Sequence, residues 1–121
     1  MTRAAFSVFV FSIYLFVLGV VLVAVPNLLL MPFGFPETSE VWVRVVGMLV
    51  LILGLYYATS ARNELTPMLR ASAYARLSVL LFFLAFVALG WAPPALILFG
   101  VVDAVAATWT LLALRADERA A

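Results

Sequence analysis

The chain has 121 residues, 68% of them hydrophobic and 11% charged, with a formal net charge of +1. So little polar surface cannot cover a water-soluble globule of this size, and the composition is that of an integral membrane protein. Neither Cys nor His is present, which removes disulfide and thiol chemistry and the commonest metal and haem ligands; no metal or cofactor is expected, and the near-neutral charge gives no reason to expect a nucleic-acid partner.

A helix needs roughly 20 apolar residues to cross a hydrocarbon core of about 30 Å. Four such segments are legible: Phe6 to Val25, Val41 to Ala61, Pro67 to Trp91 and Pro94 to Leu114. They predict an all-α bundle of four transmembrane helices in a single domain. Transmembrane strands would show alternating patterns of about ten residues, and none is present.

Arg3 precedes the first segment as it would a signal peptide. However, the apolar stretch is too long for an h-region and Val23-Ala24-Val25-Pro26 lacks the small residues of a cleavage site, so the segment is read as retained. Ser12 and Gly19, seven apart, mark its inward face, leaving Phe, Val and Leu side chains for lipid. Next comes an apolar, proline-rich loop from Pro26 to Glu40. Its prolines argue against a regular helix, yet Leu28-Leu29-Leu30-Met31 and Phe33 to Phe35 would not sit freely in water. The loop is expected to lie in the outer interface or fold over the bundle, as a plug in the first instance and as a lid to a cavity in the alternative.

Thr38, Ser39 and Glu40 offer capping oxygens and negative charge to the second helix. Its predicted inward face carries Arg44, Gly47, Met48, Leu51, Gly54, Leu55 and Ala58. Thr66-Pro67 reads as N-cap and first-turn proline of the third helix, and Pro93-Pro94 separates the third from the fourth. Arg76 precedes the uninterrupted apolar run that begins at Leu77, which places it with Arg62 and Arg70 as an anchor at the inner headgroups. In the fourth helix Gly100, Asp103, Ala106, Ala107 and Thr110 share a small, polar face.

Arg3, Arg62, Arg70, Arg76, Arg115 and Arg119 fall on one side of a four-span arrangement, against Arg44 alone on the other. By the positive-inside rule both termini are cytoplasmic and the proline-rich loop is outside. Trp42 and Trp91 fit an outer aromatic belt and Tyr57 and Tyr74 an inner one, with Tyr56 or Tyr57 free to turn inward instead.

Asp103 is the one carboxylate predicted deep in a span, so it is partnered, protonated or used. Arg44 lies about 9 Å from it in depth, at 1.5 Å per residue. Glu40, one turn before Arg44 and in the favourable order, is the simpler partner, with the Arg44 side chain snorkelling to the interface, and a direct Arg44 to Asp103 bridge is the alternative. A candidate binding site gathers Asp103, Arg44, Trp109, Tyr56 and Met48; no catalytic residue is assigned. Three roles follow. The first is a structural or accessory subunit of a membrane assembly. A second is a carrier or binding protein for an apolar or weakly cationic small molecule, with Asp103 as counter-ion or proton-linked site. An intramembrane enzyme ranks last, for want of a nucleophile, a metal cluster or a second acid or base. Four short helices enclose little volume, so a pore or large cavity would arise more readily in a homo-oligomer.

Pro26-Asn27-Leu28-Leu29, Phe33-Gly34-Phe35-Pro36, Trp42-Val43-Arg44-Val45-Val46-Gly47, Leu53-Gly54-Leu55-Tyr56-Tyr57, Ala61-Arg62, Arg76, Phe99-Gly100-Val101-Val102-Asp103 and Thr108-Trp109-Thr110 recur in an order that resembles small bacterial four-helix membrane proteins, loosely DoxX-like. The resemblance covers nearly the whole chain through short, apolar motifs. It implies a bacterial inner-membrane protein and an accessory role beside a membrane redox system, and it carries over no catalytic residue.

Overall fold

The computed structural model describes all 121 residues and is helical throughout, without strands. Its elements are α1 (Arg3–Ala24), α2 (Pro26–Leu30), α3 (Val41–Arg62), α4 (Thr66–Ala88) and α5 (Leu96–Ala120). All but α2 are long and apolar enough to cross a membrane, and a helix is the form in which a single segment satisfies its own backbone in lipid.

The four long helices pack in the spatial order α3, α1, α5, α4, whereas α3 and α4, adjacent in sequence, scarcely touch. Because α1 has a long helix on either side, it buries more than the face marked by Ser12 and Gly19. Ala4, Val8, Phe11, Leu15 and Leu22 are buried too, at the three- and four-residue spacing of one broad helical stripe. Close approach is set by glycine. A Cβ on Gly47 would lie 2.8 Å from Leu22 Cβ and 2.9 Å from Val23 N, so α1 and α3 meet backbone to backbone there. At Gly100 a Cβ would lie 3.1 Å from Leu80 Cα, which brings α5 against α4 in the same way.

The end carrying the termini is tied by polar contacts. Thr2 Oγ1 accepts a hydrogen bond from Ala5 N at 3.1 Å, and the Asp117 carboxylate accepts from Arg3 N and Ala4 N at 3.3 and 3.1 Å. These caps satisfy free N–H groups of the first turn, so α1 begins at Arg3 rather than Phe6. Helix α5 runs on to Ala120, past the expected stop at Leu114, carrying Asp117 to this cap and Glu118 to a 2.7 Å ion pair with Arg70.

At the opposite end α4 stops at Ala88, short of the expected Trp91. Gly90, with φ 77°, donates to Val87 O at 3.0 Å and Trp91 N donates to Phe86 O at 2.9 Å. The two reversed bonds close the helix in a Schellman motif, with the Trp91 ring 6.0 Å from that of Phe86 as its apolar clasp. The proline-rich segment is not wholly irregular: Pro26 opens the five-residue α2, since a proline in the first turn has no N–H to lose. Asn27 and Thr38 then pair twice, Asn27 Nδ2 donating to Thr38 O at 3.0 Å and Thr38 N to Asn27 Oδ1 at 2.9 Å. This clamp and the Phe33 ring, 4.5 Å from that of Phe99, hold the segment back against the bundle.

Candidate functional site

Arg76 does not lie at a helix end. It is ten residues into α4, about 15 Å along the axis at 1.5 Å per residue, and is only 2% exposed. The burial follows from its stripe: Leu69, Ser72, Ala73 and Arg76 share one face, and this face packs against α5. Its guanidinium Nε donates to Ser72 O at 3.2 Å, while Nη2 donates to Ser72 Oγ at 3.3 Å and to Thr110 Oγ1 at 3.0 Å. Thr110 Oγ1 in turn shares a 2.7 Å hydrogen bond with Ser7 Oγ, so the cluster joins α4, α5 and α1. The guanidinium carbon lies 4.8 Å from the centre of the Phe11 ring and 5.9 Å from that of Tyr57, whose negative faces attract the cation. Nη1 is buried without a hydrogen-bond partner.

Asp103 is two turns from Thr110 on the same face of α5. It is partly buried, and its carboxylate takes part in no hydrogen bond or ion pair within the protein. Its charge lies within electrostatic range of Arg76, Tyr14 and Tyr57. Arg76 is thus held close to Asp103 without touching it, anchored instead on the two hydroxyls.

Asp103 forms part of the wall of a cavity of about 330 Å³. Tyr14, Leu15, Leu18 and Leu22 of α1, Val46, Val50 and Leu53 of α3, Val79 and Phe83 of α4, and Leu96 and Phe99 of α5 form its sides. Leu29 and Leu30 of α2 with Phe33 and Phe35 complete the lining. Asp103 is the sole ionisable carboxylate among these apolar walls, and Tyr14 supplies the other polar group. Val46 and Leu53 in its wall are 50% and 45% exposed, and α3 and α4, which both line it, scarcely touch and leave a seam between them.

The other expected site residues are elsewhere. Arg44 reaches neither Asp103 nor Glu40; its Nη1 donates to the carbonyls of Val23 and Ala24 at the C-terminus of α1, where free carbonyls and the helix dipole favour a cation. Met48 and Tyr56 point outward at 47% and 56% exposure, because the buried stripe of α3 runs through Gly47, Gly54, Tyr57 and Ala61. Trp109 packs edge-on against Phe6, ring centres 6.1 Å apart, beside an open groove of about 540 Å³ lined also by Met1, Thr2 and Arg3. That groove is shallow and is lined by neither Asp103 nor Arg76. Tyr57 faces inward rather than joining an aromatic belt. Arg76, Ser72, Tyr14 and Ser7 are the residues that sequence reasoning did not place in the site; the spacing of Leu69, Ser72, Ala73 and Arg76 was the available signal.

No protein-family model matches the chain, and no curated protein or solved structure is significantly similar to it. Fold and site therefore define a class by themselves: a multi-pass helical membrane protein with a buried arginine on a hydroxyl cluster and a partly buried, unpaired carboxylate among its helices.

Proposed function

We propose that the chain is a four-span bacterial inner-membrane protein, with both termini cytoplasmic, that binds a small apolar molecule in the cavity beside Asp103. The orientation is supported by the arginine distribution. One observation carries the binding reading: a cavity of about 330 Å³, apolar on nearly every side, presents a single free carboxylate at its wall. Concave apolar sites with one or two convergent polar groups are the usual form of small-molecule sites. In this reading the proline-rich segment is a lid, since Leu29, Leu30, Phe33 and Phe35 line the cavity.

The test uses protein reconstituted in nanodiscs. Decanol is expected to raise the melting temperature of the wild type and not of Asp103→Leu; equal increments in both would remove Asp103 from the binding site. An accessory role remains the second reading, favoured by the seam between α3 and α4, where a helix of a larger assembly or a second copy would fit. The DoxX-like resemblance points the same way. Stable co-purification with a helical partner, together with no response to decanol, would place this reading first.

A further inference from the structure

The charges in the middle of the bundle reduce to two. Arg44 is taken up by the end of α1, Arg70 by Glu118, Arg3 lies in the first turn of α1, Arg62 in the last turn of α3, and Arg115 and Arg119 are exposed in the final turns of α5, which leaves Arg76 and Asp103 among the spans. A guanidinium does not shed its proton in proteins, so Arg76 is a fixed positive charge. Asp103 is the only acidic side chain whose charge acts on it, and with Asp103 ionised the two sum to zero. The guanidinium donates to Ser72 and Thr110 and not to the carboxylate, whose oxygens stay free while Asp103 borders the cavity.

We infer that Arg76 sets the ligand class of the cavity: with its charge offsetting that of Asp103, the site takes a neutral, hydroxyl-headed amphiphile that donates a hydrogen bond to Asp103. The inference rests on the binding reading above and goes beyond it by excluding charged head groups. An ionised carboxylate accepts and cannot donate, so the guest must supply the hydrogen. An ammonium guest would also satisfy it, but would have to shed its hydration in an apolar site and leave that site with a net positive charge, which Arg76 opposes. A carboxylate guest would face Asp103 directly. A hydroxyl adds a donor and no charge. Arg76 is accordingly a positioning and charge-setting residue, with no contact to the guest required.

The experiment is photolabelling in nanodiscs of zwitterionic lipid, using an aryl-diazirine probe with a hydroxyl head. Labelling of Leu18 and Phe99 is read by mass spectrometry against decanol, decylamine or decanoate as competitor, at equal membrane concentration. For the wild type, decanol is expected to compete on the order of ten-fold better than either charged analogue, the size of one uncompensated charge at moderate dielectric. Asp103→Asn leaves Arg76 uncompensated, so preference should move to decanoate. Arg76→Gln should move it to decylamine. Should Arg76→Gln fail to fold, the Asp103→Asn shift decides the matter alone. Decylamine competing best in the wild type, or an unchanged order in Asp103→Asn, overturns the inference and leaves the binding site standing. No labelling of Leu18 or Phe99 overturns both.

Discussion

Replacing Arg76 and Asp103 separately and together measures whether the two charges act as one neutral unit. Thr110 is seven residues beyond Asp103 on α5, and Arg76 Nη2 lies 3.0 Å from its hydroxyl, so the two charges are separated by roughly 10 Å along the helix axis at 1.5 Å per residue. At that distance and an effective dielectric near 20, their attraction is about 1.7 kcal/mol. Arg76→Leu alone forfeits that attraction and leaves Asp103 a lone charge, and it also removes the hydrogen bonds to Ser72 and Thr110. The double variant Arg76→Leu with Asp103→Leu strands neither, so it should be more stable than Arg76→Leu alone. Unfolding free energies in mixed detergent give the cycle directly. A coupling of about 1–2 kcal/mol is expected; additivity to within roughly 0.3 kcal/mol, the behaviour of independent sites, would refute the neutral pair.

Two other substitutions test the frame that holds the pair. Gly47→Ala puts a methyl 2.8–2.9 Å from Leu22 and from the Val23 backbone, which cannot yield as a flexible side chain does; a loss of about 1–3 kcal/mol is expected in the same unfolding assay, and a variant as stable as wild type would contradict the backbone contact of α1 and α3. Asp117→Ala removes the acceptor shared by Arg3 N and Ala4 N and should cost about 1 kcal/mol, as loss of a helix cap does. Faster amide exchange at residues 3 and 4 would report it, and unchanged exchange would show that the Thr2 cap suffices.

The four long helices were legible because apolar runs of spanning length leave little choice of structure, and Gly19, Gly47 and Gly54 marked inward faces without showing that α1 and α3 meet along them. Asp103 was legible as well, as a charge in the middle of an apolar run. Arg76 was not: the residues before it are mixed in polarity, and hydropathy alone places a charge at the edge of a run. Only the register of Ser72 and Arg76 with Ala73 and Leu69 shows that this mixed stretch forms a buried stripe. Arg44 was misplaced for a related reason, since its acceptors are backbone carbonyls of another helix and no residue type advertises them. The ends of α4 and α5 shifted because a Schellman turn at Gly90 and the cross-helix contacts of Asp117 and Glu118 outweigh hydropathy at the termini.

The most direct measurement is a crystal structure of the protein grown from a lipid mesophase containing decanol. An elongated density between Leu18 and Phe99, ending in a hydrogen bond at Asp103 while Arg76 stays on Ser72 and Thr110, is the predicted result. Helices α3 and α4 closed on each other with Asp103 bonded directly to Arg76 in a dry contact would contradict it.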